Sequence, residues 1–353
     1  MPHGVPSEGR PEPLFTHHTH KFVGNLDSSL RGRPLYCPER PAVKAHAVAL
    51  RESGSTADAV LIEQLAQTPT AVWLTEPSAI DVIDATLASS APDRIPVFVV
   101  YMLPARDAGQ FSAGGAADGD AYLGWVQRVA EALEMSATRA AVILEPDGLA
   151  HACEGGALAY ELREERKRLI SAARELLEAV RCPVYVDCGH ARWLSSALAA
   201  ALLRAVGARR FALNVSNYVG VDESMAYGER VAFSVMAERV AFSLGAGADA
   251  SLGAVSYVID VSRCGNGPAQ KDEWCNPRGR AFGPAPTTRP RPGASACDAL
   301  LWVKPPGESD GDNGGCAPPA GVYWPELALE QARNARGWSD ILLQTGKRLM
   351  ACA

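Results

Sequence analysis

Four aspartates, Asp107, Asp147, Asp187 and Asp310, each stand within two residues of a glycine or a proline. Asp147 lies in the stretch AAVILEPDGLA (140–150), where five apolar residues run into Glu145, Pro146 and Asp147. Paired carboxylates suit general acid–base chemistry, with one held protonated to donate and another ionised to accept. Trp73, Trp193 and Trp274 sit at or near the ends of short apolar runs rather than in the middle of a helical pattern. Trp125 instead sits on the apolar face of a helical pattern and reads as core. An indole face beside carboxylates fits a sugar ring, which offers an apolar C–H face and a polar rim. The combination points to glycoside hydrolysis. It leaves two mechanisms open: inversion, with carboxylates roughly 6.5–9.5 Å apart, and retention, at roughly 5–5.5 Å. No GxSxG nucleophile elbow and no HExxH zinc motif competes.

These residues need elements that bring them together. Seven short apolar runs recur: AVWL (71–74), VFVVY (97–101), AVIL (141–144), PVYVD (183–187), FALNV (211–215), SYVIDV (256–261) and ALLWV (299–303). Helical patterns lie between most of them, clearest at 121–134, 162–180 and 191–206, with an earlier capped helix at 55–67. Strand–helix alternation with runs apolar on both faces predicts a parallel sheet covered by helices. Seven units suggest a closed or nearly closed β/α barrel, with the open doubly wound sheet as structural rival. That rival often carries a dinucleotide, but no GxGxxG or phosphate loop follows a strand, and GAGADA (245–250) follows helix-like sequence. Polar residues follow nearly every run: Glu76; Arg106 and Asp107; Glu145 and Asp147; Asp187, His190 and Trp193; Asn214, Ser216 and Asn217; Asp260, Ser262 and Arg263; Lys304, Glu308 and Asp310. Barrel strand tips converge on a shared site, so ILEPDG reads as a core strand handing carboxylates to a cleft. Any single charged residue there could mark only where a buried strand meets solvent; the set, with its tryptophans, asks for more.

The bulk properties agree. The 353 residues are 47% hydrophobic, enough for a sizeable core. A net charge of −6 argues against a nucleic-acid or anionic-membrane partner, and no run of about 18 apolar residues predicts a membrane span. Residues 1 to about 50, rich in proline and polar side chains, read as an irregular segment packing on or leading into one catalytic domain, 51–353. His17, His18 and His20 read as part of a solvated tail, and no Cys/His cluster has metal spacing; no cofactor is expected. The nine cysteines are an odd number, so at least one is unpaired within the chain. The repeated ERVAFS within 229–243 reads as a local duplication in a helix, and 264–298 as a long loop.

The chain resembles glycoside hydrolase family 6, the cellobiohydrolases and endoglucanases that cleave cellulose with inversion. The stretches that carry the likeness are VVYMLPARDAGQFSAGGA (99–116), ILEPDGLA (143–150), VYVDCGHARWL (184–194), FALNVSNY (211–218), YVIDVSRCGNGP (257–268), EWCNPRGRAFG (273–283) and WVKPPGESDG (302–311). The resemblance implies a distorted seven-stranded β/α barrel, in agreement with the seven runs. It implies Asp147 as general acid, Asp107 as the neighbour that keeps it protonated and joins the water relay, and Asp310 as base or as electrostatic partner to a chain of waters. Tyr101 resembles the tyrosine crowding the distorted sugar, and Ser112 the serine holding the relay water. Arg106, Asp187, His190, Asn214, Arg263, Lys304 and Glu308 resemble supporting and sugar-binding groups, although Asp187 has the plainer reading of neutralising an arginine. Trp73, Trp193 and Trp274 resemble the stacking platforms. The resemblance also implies a Cys275–Cys316 disulfide, and no bond at Cys153, because Ala108 stands where many members have its partner. Cys188 reads as a buried, inert thiol. The expected partner is cellulose or a soluble β-1,4-glucan and the expected state a monomer, secreted although the chain begins with no signal peptide, with the cytoplasm as alternative. The short DGDNGG (310–315) favours internal attack over release of cellobiose from chain ends. A non-catalytic glucan-binding protein is the remote alternative.

Overall fold

The computed structural model describes residues 29–107, 112–136, 138–154, 158–246, 254–270, 273–290, 293–312 and 315–335, without the side chains of 238–246. His17, His18, His20, Ala108, Cys352 and most of GAGADA lie outside the described residues. Seven parallel strands form one sheet in sequence order: β1 (Val72–Leu74), β2 (Val97–Val100), β3 (Ala141–Leu144), β4 (Val184–Asp187), β5 (Arg210–Leu213), β6 (Ser256–Asp260) and β7 (Cys297–Leu301). Between them run α3 (Ala79–Ser89), α4 (Gly119–Met135), α5 (Gly148–His151), α6 (Tyr160–Ala179), α7 (Ser196–Ala205) and α8 (Val221–Ala246), with α1 (Pro41–Glu52) and α2 (Thr56–Ala66) before and α9 (Pro325–Asn334) after. None of the described helices is long and apolar enough to cross a membrane.

The runs are apolar on both faces because the sheet has two buried faces. Phe98, Val100, Val142, Leu144, Val184, Val186, Phe211 and Leu213 pack under the helices in one large core. Their alternates Val97, Val99, Tyr101, Ala141, Ile143, Tyr185 and Ala212 fill the inside of the curl, with Val258, Ala299, Leu301 and Val303. The strand period of two sorts the residues. It also turns Tyr101 inward, and Trp73 packs against the same inner layer. The sheet is not closed by strand pairing: β1 and β7 are its two edges. Across that seam the Ala71 N–H donates to Trp302 O at 2.9 Å and the Trp73 indole N–H to Val303 O at 2.8 Å.

Three of the boundaries that differ from the sequence reading bear on the site. The seventh run was placed at 299–303, but the paired strand is 297–301 and Trp302 and Val303 lie past its end. The helix expected over 191–206 begins only at Ser196, because the Ser195 hydroxyl accepts the Leu198 N–H at 3.2 Å and fixes the first turn there. Residues 190–194 make a turn instead, with the Trp193 N–H on His190 O at 2.9 Å. The segment to about 50, expected to be irregular, contains α1, started by Pro41 and burying Val43 and Ala47.

Candidate active site

The strand tips open onto a cleft of about 900 Å³. Tyr101, Arg106, Asp107, Ser112, Asp147, His190, Lys304, Glu308, Asp310, Trp73, Trp193 and Trp274 all line it. Asp187, Asn214 and Arg263 do not, and each is almost wholly buried. The sequence reading counts these three among the supporting and sugar-binding groups; they stand behind the cleft wall and bond to the protein itself, through Asp147 N, Asp260 O and Asp310 among others.

The carboxylates at the tips therefore divide into two kinds. Glu145, Asp187 and Asp260 are buried and bind backbone amides. The Glu145 carboxylate accepts from Met102 N at 3.0 Å and Leu103 N at 3.2 Å, so it faces the β2 exit and not the cleft, contrary to the sequence reading of ILEPDG. Asp187 Oδ1 accepts from Asp147 N at 3.0 Å and Gly189 N at 3.1 Å. Its role is thus to hold the Asp147 backbone, and no arginine pairs with it among the described residues. Burial, then the negative charge of Asp147, pushes the Asp187 carboxyl well above the ordinary range. Its Oδ2 is buried and has no hydrogen-bond partner. Asp260 accepts four amides, from Ser216, Ser262, Val303 and Lys304, at 2.9–3.2 Å. It thereby joins the tips of β5, β6 and β7. Asn214 does similar work with its amide, bonding Val219 and Asp260 carbonyls at 3.1 and 2.9 Å and accepting the Val219 N–H.

Asp107, Asp147 and Asp310 face the cleft. Asp147 sits in left-handed backbone (φ 64°) just before α5. Burial first and the charge of Asp107 second raise its carboxyl to about 7. A carboxylic acid in that range keeps its proton near neutrality, as an acid donor must. Asp107 is also left-handed (φ 58°) and accepts the Ser112 N–H at 2.8 Å. Its carboxyl is raised by burial against the lowering effects of that hydrogen bond and of Arg106. Arg106 ties the loop together, donating to Ser112 O at 3.0 Å and Thr75 O at 2.9 Å and lying 4.8 Å from the Tyr101 ring centre.

Asp310 has the opposite setting. Its two oxygens take Arg263 Nη1 at 2.8 and 2.9 Å, the Tyr218 hydroxyl at 3.1 Å and the Asn276 N–H at 3.0 Å. Lys304 Nζ stands 3.9 Å away. Burial alone would raise this carboxyl, but Arg263 and then Lys304 outweigh it and hold it below the ordinary value. Asp310 is a fixed anion, surrounded by donors. Lys304 also donates to Ser309 O at 3.1 Å and lies 4.0 Å from Glu308.

The aromatic groups are held at set angles. Trp73 meets Tyr101 edge-on at 5.5 Å between ring centres. Trp193, more than a third exposed, is braced by His151 at 5.0 Å and His190 at 5.9 Å. Burial lowers the His190 imidazole to about 4, so it is neutral near pH 7. His151, Glu39 and Arg40 also line the cleft and were missed from sequence. His151 is legible in hindsight, four residues after Asp147 on the one turn of α5; Glu39 and Arg40 lie outside any periodic pattern. Seven non-glycine residues at positive φ sit in the loops around the site: Ala105, Asp107, Glu145, Asp147, Asn214, Ser216 and Asn276. Each costs about 1–3 kcal/mol, and all but Ala105 are held by the hydrogen bonds above.

Cys275 and Cys316, the pair the resemblance implies, are not bonded to each other in the structure. Cys275 Sγ points to Gly311 O at 3.6 Å, and burial raises its thiol to about 11, away from the reactive thiolate. Cys153 is a free thiol, and Cys188 is buried with its thiol raised.

Residues 30–335 match the sequence profile of the glycosyl hydrolases family 6. The chain is 40% identical over 296 residues to endoglucanase A of Cellulomonas fimi, covering 81% of this chain and 58% of that one. It is 36% identical over 300 residues to endoglucanase 1 of Streptomyces halstedii, covering 82% and 86%. It thus spans little more than half the length of the first relative and most of the second. Among solved structures it superposes on the endoglucanase Cel6 of Mycobacterium tuberculosis, in complex with methyl-cellobiosyl-4-deoxy-4-thio-β-D-cellobioside, with a TM-score of 0.74 and 37% identity. That match covers 87% of this chain and 98% of the other.

Proposed function

The chain belongs to glycosyl hydrolases family 6, and on that premise we propose that it hydrolyses internal β-1,4-glucosidic bonds of cellulose and soluble β-glucans with inversion. The observation that carries this reading is Asp147, an acid raised to about 7 by burial and Asp107, facing a cleft lined with Trp73, Trp193 and Trp274. The indoles take the apolar faces of successive sugars. Asp147 gives its proton to the glycosidic oxygen as the bond from that oxygen to the anomeric carbon breaks. Water attacks the same carbon from the opposite face, and its proton leaves on the other side of the sugar. Of the two other aspartates that face the cleft, Asp107 is raised and Asp310 lowered. The stronger base is therefore Asp107, reached through water held near Ser112. Asp310, whose oxygens are already occupied by Arg263, Tyr218 and Asn276, stabilises positive charge on the sugar electrostatically.

The endoglucanase names of relatives at 36–40% identity support internal attack. A cleft built within one chain supports action as a monomer, and a polymeric substrate supports action outside the cell. The test is digestion of carboxymethyl cellulose and a cello-oligosaccharide, followed by viscosity and by NMR of the first products. A rapid fall in viscosity with α-anomers is expected. Slow loss with α-cellobiose would shift the reading to attack from chain ends. β-Anomers first would overturn inversion, and no hydrolysis would leave a glucan-binding protein.

A further inference from the structure

Glu145 belongs to none of the groups that line the cleft, yet it contacts the chain on both sides of them. We infer that Glu145 is a positioning residue for the hydrolysis proposed above: its carboxylate and backbone fix Tyr101 and the loop to Asp107 against the turn that carries Asp147.

The β2–β3 ladder ends here. The Glu145 N–H donates to Val100 O at 2.9 Å, the last ordinary rung. Beyond it β3 turns, and Pro146 has no N–H to offer. The amides of Met102 and Leu103 are nonetheless buried and need acceptors. The Glu145 carboxylate supplies them, taking Met102 N at 3.0 and 3.2 Å and Leu103 N at 3.2 Å. A side chain thus continues the ladder for two more residues. Tyr101 lies between the rung at Val100 and the rung at Met102, so its place in the cleft is set from both sides. Leu103 O in turn accepts Arg106 N at 3.1 Å, which carries the constraint to Asp107. On its other side the Glu145 carbonyl accepts Gly148 N at 3.0 Å, closing the turn around Asp147.

The position is costly to keep. Glu145 is a non-glycine residue at φ 49°, with a side chain 1% exposed. An apolar residue would avoid burying a charge but would orphan two amides at the cleft wall. Gly148 fits the same design, since a Cβ there would fall 2.7 Å from Leu103 Cδ1 and 3.2 Å from Glu145 Cβ. The acid turn and the β2 exit are packed against each other with no spare room.

The test uses Glu145→Gln, which keeps one good acceptor, and Glu145→Ala, which keeps none, on soluble β-glucan well below the melting temperature. The kcat of Glu145→Ala is expected to fall roughly 10- to 100-fold, the cost of misplacing reacting groups by about an ångström. KM is expected to stay within about threefold, and Glu145→Gln to recover part of the loss. The alkaline limb of kcat should also move to lower pH. Asp147 is faced by Asp107, Asp187 and Tyr101, and looser seating removes part of Asp107's hold on its proton. A lost side-chain packing contact alone would not move that limb. Wild-type kcat and an unmoved limb in both variants would overturn the inference while leaving the hydrolase reading intact; an inactive wild-type chain would sink the hydrolase reading first. Should the variants fail to fold, amide exchange in the wild-type chain decides. Met102 and Leu103 should exchange as slowly as Val99, and exchange at the rate of an open loop would refute the clamp.

Discussion

At the scale of single residues, Asp147 and Asp310 face one cleft and carry opposite electrostatic settings, so their amide variants should change stability in opposite directions. The Asp147 carboxyl sits at about 7 in the folded chain and at about 3.9 when unfolded. The folded state binds this proton more tightly, so this group's contribution to stability falls as pH rises from about 4 to about 7 and is flat beyond. Asp147→Asn removes a buried charge that the fold tolerates poorly. Its melting temperature should match wild type near pH 4 and exceed it by a few degrees at pH 8, while hydrolysis is lost. A variant less stable than wild type at pH 8 would contradict the raised acid. Asp310 has a lowered carboxyl and is paired with the buried Arg263. Asp310→Asn leaves that guanidinium without its counter-charge, and urea unfolding should show a loss of about 3–5 kcal/mol. Composition could not separate these two aspartates. The sequence shows a carboxylate after a strand in both cases, and only the neighbours brought by other strands decide which is neutral and which is charged.

At the scale of elements, the strands were readable because both faces of the sheet are buried, which yields short runs too apolar to be anything but strand or core helix. The residues at the tips were readable as a group, but not their direction. Glu145 and Asp147 are two positions apart and would share a face in a continuing strand. Positive φ at both breaks the alternation, turning Glu145 toward the Met102 and Leu103 amides and Asp147 to the cleft. Trp193 reads as a strand-exit residue although the helical spacing of ARWLSSALAAALLRAV runs through it; the capping bond of Ser195 starts α7 beyond it and leaves the indole at the cleft. The same close seating of loops gives a test. Gly115 has φ 102°, and a Cβ there would lie 1.9 Å from Leu103 O. The loop it belongs to is held by Ala116 N on Met102 O at 2.9 Å and Arg106 N on Gly114 O at 3.2 Å. Gly115→Ala must push residues 112–116 off the β2 exit and move Ser112 relative to Asp107. We expect a loss of about 2 kcal/mol or more in urea unfolding, and a fall in kcat larger than the change in KM. Unchanged kinetics would show that Ser112 and Asp107 keep their places by other means.

At the scale of the whole molecule, the open seam between β1 and β7 explains why an irregular N-terminal segment that packs on the domain matters. Its proline-rich, polar sequence has no period to read, because its apolar residues are single anchors. Leu30 and Leu35 are buried in the layer inside the curl. Leu35 pairs with Ile95, Tyr36 N bonds Ile95 O at 3.0 Å, and Gly32 N bonds Thr288 O at 2.8 Å. Arg31 reaches Ser295 O at 2.9 Å, at the foot of β7. Arg40 then crosses to Pro306 O at 3.0 Å, beside Glu308, and lines the cleft with Glu39. One stretch thus runs from the inner core to the cleft wall and spans what the sheet leaves unpaired. Burying Leu30 and Leu35 is worth about 1.5–3 kcal/mol each, and a chain of this size shifts its melting temperature by roughly 1–1.5 °C per kcal/mol. A chain that starts at Pro41 should therefore melt about 4–8 °C below the full chain, which calorimetry can measure. Below its own melting point it should bind and cleave β-glucan less well, because Glu39 and Arg40 no longer complete the cleft. If it melted with the full chain and kept its KM, the segment would be an appendage, and the seam would be stable without it.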